Sequence, residues 1–225
     1  MVIVFDLDDT LYDDRSFVLS GFHAVARYLA PLLNKDEAWI RGQLEGELQQ
    51  DRNHVFNRFL QALGISDKKL IRKCVSVYRG HDPVINLYPD AQACLSRLSR
   101  FPLYVVTDGN KQVQKRKFLA LGLSGVIKKC LCTHVYGIKH SKPSPYCFQV
   151  ICSLEKVVPS QVVYIADNPY KDFIGIKPLG FHTIRVLTGH YGNSIVSPEY
   201  DAELTVKNLN EVTAKLMHDW GQKKI

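Results

Sequence analysis

The sequence predicts an α/β protein: a doubly wound, parallel-sheet, Rossmann-like core interrupted by an inserted α-helical bundle. Three observations lead there. Short apolar, β-branched runs recur, each followed by polar turn residues and a helical stretch, which is the rhythm of βαβ units. One long interval lacks that rhythm and carries helical periodicity instead. Acidic and hydroxyl residues stand at the ends of the strand-like runs, where open α/β sheets bind their ligands.

The strands come first. Val2 to Phe5, Leu103 to Val106, Val162 to Ile165 and Thr183 to Val186 are near-continuous apolar runs, as strands covered on both faces require. Cys130 to Val135 is a fifth, weaker run. Asp6, Thr107 and Asp167 sit at the ends of the first three. Between the first strand and the second, about 95 residues contain no convincing strand, far more than a crossover helix needs. Here Val18, Phe22, Val25, Leu29 and Leu32 recur at helical spacing, as do Ile40, Leu44 and Leu48, then Val55, Phe59 and Leu63, then Leu70, Cys74 and Val77. Four amphipathic helices make a small bundle. Asn34-Lys35, Gly64-Ile65-Ser66 and Gly80-His81-Asp82-Pro83 separate them. The expected division is a core of residues 1–14 and 86–225 and an insert of residues 15–85.

Composition narrows the function classes. A chain of 225 residues, 46% hydrophobic, can bury a sizeable core. The formal charge of +7 is unevenly spread. Between residues 100 and 142 the charged groups are Arg100, Lys111, Lys115, Arg116, Lys117, Lys128, Lys129, Lys139 and Lys142, against Asp108 alone. Such a segment can steer an anionic substrate. No nucleic-acid motif accompanies it, so no nucleic-acid partner is expected, and Lys115 to Lys117 read as a solvated helix face. A strand beginning at Val2 leaves no room for a secretory leader, and no later run reaches the roughly 20 apolar residues of a membrane span. A cytoplasmic protein without a membrane partner is expected. The six cysteines, with no CxxC pair or clustered histidines, read as free thiols.

The chemistry is concentrated in Phe5-Asp6-Leu7-Asp8-Asp9-Thr10-Leu11. Helix capping would account for one acid there, not for three. Carboxylates held close repel unless a cation or a shared proton relieves them. A hard, oxygen-seeking divalent ion is therefore expected, and magnesium (Mg2+) suits a site that also holds phosphate oxygens.

This run resembles the D-x-D-x-T signature of the haloacid dehalogenase superfamily, and three further stretches resemble the superfamily's remaining motifs in order. They are Val105-Val106-Thr107-Asp108-Gly109-Asn110, Lys142-Pro143-Ser144-Pro145 and Ile165-Ala166-Asp167-Asn168-Pro169-Tyr170-Lys171-Asp172. The resemblance implies a magnesium-dependent phosphatase acting on a small phosphorylated metabolite, with Asp6 as nucleophile and Asp8 as general acid and base. It implies a metal held by Asp6, the main-chain carbonyl of Asp8 and Asp167, and phosphate held by Thr107, the main-chain N–H of Asp108 and Lys142. Asn168 and Asp172 would support them, Asp172 by orienting Lys142 or a metal-bound water. Members that displace halide from carbon lack an acid at the position of Asp8, whereas phosphomutases keep it, so a phosphomutase or phosphotransferase is the alternative enzyme. A non-catalytic binding protein is the alternative outside enzymes. The insert is similar to the cap that selects substrate in one branch; its Arg15, Arg52, His54 and Arg58 read as surface groups that a substrate can meet. Two positions depart from the pattern. Ala166 stands where Gly is usual, and Asp108 follows Thr107 where Asn is commoner, adding an anion beside the expected phosphate site.

Overall fold

The computed structural model describes residues 1–222. It divides into two compact units, one of Met1–Asp14 with the chain from Asn86 onward, the other of Arg15–Ile85.

The first unit is built on six parallel strands: β1 (Val2–Phe5), β2 (Leu103–Thr107), β3 (Lys129–Cys132), β4 (Val162–Ala166), β5 (His182–Val186) and β6 (Leu204–Val206). Their order is β3-β2-β1-β4-β5-β6. The chain builds outward from β1 on one side and then returns to build outward on the other. The carboxyl ends of β1 and β4 therefore flank the topological switch point, where side chains project into a crevice instead of a neighbouring connection. Every residue of β1, β2 and β4 is buried, which is why their sequences are near-continuous apolar runs and not alternating, with Thr107 the polar exception at the end of β2. One face presents Val2, Val4, Tyr104, Val106 and Tyr164 to Phe148 and Ile151 of α7 (Tyr146–Glu155) and to Phe173 and Phe181. Pairing sets Phe5 level with Val105 and Ile165, so Asp6 and Thr107 leave the sheet at the same edge.

Two strand expectations are corrected. The run from Cys130 to Val135 is strand only to Cys132, because Thr133–Val135 close a 3₁₀ turn. The edge strand β6 was not anticipated; its three residues are too short to carry a pattern.

The second unit contains α2 (Glu37–Gln50), α3 (Val55–Ala62), α4 (Lys68–Gly80) and all but the first residue of α1 (Asp14–Leu33). Asp36 and Asp67 start α2 and α4 by accepting hydrogen bonds from the N–H groups of Trp39 and Lys69. Phe22, Val25 and Leu29 of α1 pack with Ile40 and Leu44, with Phe56, Phe59 and Leu60, and with Cys74. Leu32, expected in that stripe, is 57% exposed. Contrary to the expectation that no stretch qualifies, α1 is long and apolar enough to cross a bilayer by length and composition alone. Its apolar stripe is the one that packs into the bundle. All six cysteines are free thiols.

Candidate active site

The first motif leaves β1 at Asp6 and folds straight into a tight loop. Asp9 adopts φ 56°, and its carboxylate accepts from the N–H of Asp14, which starts α1. The Thr188 hydroxyl donates to the Asp9 carbonyl at 2.6 Å. Asp6 is buried, and its Oδ1 accepts from the N–H of Leu7 and from the Lys142 ammonium, both at 2.8 Å.

Around Asp6 the structure gathers residues from three motifs. Oxygens of Asp6, Asp167 and Asp172 lie within 4.8 Å of one another, all three residues buried. Asp172 is already committed: Oδ1 pairs with Lys142 at 2.8 Å and accepts from the Tyr164 hydroxyl, and Oδ2 accepts from the N–H of Asn168. It therefore orients Lys142 and closes the turn after β4. Asn168 shapes the same turn by accepting from the N–H of Tyr170. Thr10, the last residue of the first motif, donates to Asp167 at 3.3 Å.

The electrostatics follow from these contacts. Burial raises the Asp167 carboxyl to about 8, with Asp6 and Asp172 adding to the effect and Lys142 only partly opposing it. Asp6 is raised as well, by burial first, against the pull of Lys142. Burial works against the Lys142 ammonium, but Asp172 and Asp6 outweigh it and hold its proton firmly. With all three carboxyls ionised, the one ammonium would leave two negative charges uncompensated, and the proton that Asp167 retains relieves one of them until a cation takes its place. An all-oxygen cluster, doubly negative when ionised, fits a hard divalent cation.

Thr107 is 1% exposed at the end of β2. The extra anion of the second motif is neutralised where it stands. Asp108 accepts from the Thr133 hydroxyl at 2.6 Å and from the N–H of Lys142, with Lys171 at 3.5 Å. Burial alone would raise its carboxyl, yet Lys142, Thr133 and Lys171 together hold it below the usual range. The Asp108 side chain thus ties the second motif to the third, and Asn110 begins α6 (Lys111–Ala120) by accepting from the N–H groups of Gln112 and Val113.

The reading of Lys115 to Lys117 as a solvated face fails at Lys117. Lys115 is exposed, but Lys117 is 4% exposed, with its Nζ 2.8 Å from both Asp8 and Asp14. Burial works against its charge, and the two carboxylates outweigh it. Asp8 also accepts from the Tyr12 hydroxyl at 2.6 Å and from Gln114 Nε2 at 3.2 Å. Thr10, Tyr12, Gln114, Lys117 and Tyr164 were all absent from the sequence-based site.

Of the residues proposed to meet substrate from the insert, Arg58 is a structural clamp, donating to the Glu47 carboxylate and to the main-chain carbonyls of Glu47 and Asp51. Arg52 and His54 line a cavity of about 270 Å³ within the bundle, together with Arg79 and an apolar floor of Phe22 and Phe56.

Gly175 explains how the loop carrying Lys142 is seated. A Cβ at Gly175 would lie 1.7 Å from the carbonyl oxygen of Pro143, a backbone atom that cannot rotate away. Gly175→Ala is therefore expected to displace the Lys142 loop, costing roughly 2–3 kcal/mol and lowering Tm by about 5–10 °C together with activity. Gly42, inside α2 with nothing within 4 Å, is the control: Gly42→Ala should leave stability equal or higher in the same melt. Equal melting of Gly175→Ala and the parent would contradict the clash.

With the geometry in place, comparison with known proteins gives a consistent answer. The chain is 29% identical over 220 residues to a glyceraldehyde 3-phosphate phosphatase of Methanocaldococcus jannaschii, covering 93% of this chain and 94% of that one. It is 28% identical to a phosphoserine phosphatase of Thermus thermophilus, covering 83% and 70%. Its fold matches that of a 2-haloacid dehalogenase from Pseudomonas syringae pv. Tomato with a TM-score of 0.66 at 24% identity, over 98% and 100% of the two chains. The sequence model of the haloacid dehalogenase-like hydrolases matches residues 1–180, and the chain belongs to that family.

Proposed function

We propose that this hydrolase is a magnesium-dependent phosphatase that cleaves a small phosphomonoester through an aspartyl-phosphate on Asp6. The observation that carries the reading is the pairing of a buried nucleophile, Asp6 held by Lys142, with a second acid at Asp8. The fold is common to phosphatases and to a carbon–halide hydrolase, so it does not choose between them. Asp8 does, since only a leaving alkoxide needs a proton. The phosphatase names of the sequence relatives support the same side.

A carboxylate oxygen of Asp6 attacks phosphorus while the ester P–O bond breaks, and the departing alkoxide takes the proton of Asp8. Water then attacks the phosphorus of the aspartyl-phosphate, the P–O bond to Asp6 breaks, the water proton passes to Asp8, and orthophosphate leaves. Lys142, the Thr107 hydroxyl and the N–H of Asp108 hold the non-bridging oxygens as charge builds on them. Asp6, Asp167 and the main-chain carbonyl of Asp8 would hold magnesium, which when bound offsets the repulsion between Asp6 and the phosphate. Asp172 and Asn168 keep Lys142 and the turn in place. Residues 15–85 form the insert that selects substrate, and residues 1–14 and 86–225 form the catalytic core.

The substrate class is a compact phosphomonoester, and the test is a panel containing glyceraldehyde 3-phosphate, phosphoserine, phosphosugars and nucleotides, assayed in ¹⁸O-water. Release of orthophosphate carrying one ¹⁸O is expected. Transfer of phosphate to a sugar hydroxyl in place of water would make the chain a phosphotransferase, and no turnover of any member would remove the enzymatic reading.

A further inference from the structure

We propose that Lys117 and Gln114, on the inward face of α6, are positioning residues for Asp8. The inference rests on the reading of Asp8 as acid and base and adds how that side chain is aimed. An aspartate two residues beyond the nucleophile, in a tight loop and partly open to solvent, has several rotamers available. Here both of its oxygens are held. Oδ1 takes the Lys117 ammonium at 2.8 Å and the Tyr12 hydroxyl at 2.6 Å, and Oδ2 takes Gln114 Nε2 at 3.2 Å.

The holders are themselves fixed. Lys117 is bound at its far side by Asp14 at 2.8 Å, and the Tyr12 hydroxyl reaches Asp14 at 3.2 Å. Gln114 Nε2 also donates to the main-chain carbonyl of Asp108 at 2.9 Å, in the second motif. Gln114 and Lys117 are adjacent on one helix face, three residues apart, and both are about 4% exposed. A lysine and a glutamine on the buried face of a helix are costly to desolvate and give no packing advantage over Leu or Met. Their presence there is accounted for by what they hold. The same contacts tie Asp8 to the strand end bearing Thr107, so acid–base group and phosphate site share one rigid frame.

Neither residue is assigned a proton to transfer or a phosphate oxygen to hold; both act through Asp8. The test is therefore non-additivity. Steady-state hydrolysis of 4-nitrophenyl phosphate is compared for the parent, Lys117→Met, Gln114→Leu, Asp8→Asn and the two double variants containing Asp8→Asn. With Asp8 present, Lys117→Met should lower kcat by about 10-fold to 100-fold and Gln114→Leu by about 3-fold to 10-fold, in keeping with the roughly 10²-fold that a 1 Å misplacement costs. KM should stay within about twofold, as for a group that acts in the transition state and not in substrate binding. With Asn at position 8, neither change should lower kcat further, because the side chain they aim is no longer a base.

Losses that multiply with that of Asp8→Asn would overturn the inference, since the residues would then serve the fold or another group. Should Asp8→Asn keep full turnover, the role of Asp8 itself falls and the inference falls with it, a result distinguishable from the first. Lys117→Met strips a partner from Asp14 as well as from Asp8 and can fail to fold. Gln114→Leu exchanges one uncharged side chain for another of similar size and carries the same test without that charge.

Discussion

Asp6→Asn is expected to abolish turnover of every substrate, by at least about 10⁴-fold, the scale on which removal of a nucleophile acts. An amide is a poor nucleophile toward phosphorus, and of the neighbouring carboxylates Asp172 is engaged by Lys142, Tyr164 and Asn168, while Asp167 accepts from Thr10 and is the proposed metal ligand. The fold should survive, because an asparagine oxygen still accepts from the N–H of Leu7 and from Lys142. Asp8→Asn should behave differently. An activated aryl phosphate expels its leaving group without a proton donor, so Asp6 is still phosphorylated. The second half-reaction then lacks its base, and the aspartyl-phosphate accumulates. Loss of one acid or base contributes about 10²- to 10⁴-fold, enough for a burst of one aryloxide per enzyme followed by slow release. Rapid-quench mass measurement should find a single phosphoryl group on the peptide that contains Asp6. A label on a serine or histidine, or turnover by Asp6→Asn, would show that the nucleophile is misassigned.

How much of this was legible in the sequence depends on how local the signal was. β1, β2 and β4 were readable because a strand buried on both faces reads as a short, nearly unbroken apolar run. The four helices of the insert were readable from the spacing of their apolar positions, although Leu32 extended the α1 stripe too far. The motif residues Asp6, Asp167 and Asp172 meet in space because each ends or follows a central strand. Thr10 belonged to the signature, but its partner, Asp167, lies far away in the chain. Tyr164 sits in the middle of a strand and reads as core; only the fold reveals that its hydroxyl reaches Lys142 and Asp172. Lys117 was misread for a related reason. In a segment rich in basic residues, a lysine beside Lys115 and Arg116 looks like one more solvated charge, and its partners Asp8 and Asp14 are more than a hundred positions away. Hydropathy cannot distinguish a buried, paired ammonium from an exposed one; that distinction lies in tertiary pairing.

Magnesium binding to the metal-free protein is expected to tighten as pH rises and to release protons. The Asp167 carboxyl holds its proton to about 8 because it is buried beside Asp6 and Asp172. A carboxylate must lose its proton to become a metal ligand. Below about 8, deprotonation therefore competes with binding, and the apparent Kd should weaken by up to tenfold per pH unit, so by up to about 100-fold between pH 8 and pH 6; above 8 the dependence should level off. Calorimetry in buffers of different ionisation enthalpy should read close to one proton released per ion at pH 6.5. Stability follows the same sign. A carboxyl whose pKa is higher folded than unfolded contributes stability that is present at low pH and lost as pH rises through about 8, so magnesium should raise Tm more at pH 8.5 than at pH 6.5. Chelation should stop turnover and magnesium restore it, whereas calcium, larger and tolerant of irregular coordination, should not. Asp167→Asn should bind weakly and without the proton release. A Kd independent of pH with no proton released would mean that Asp167 is not a ligand, and that its buried charge is balanced in some other way.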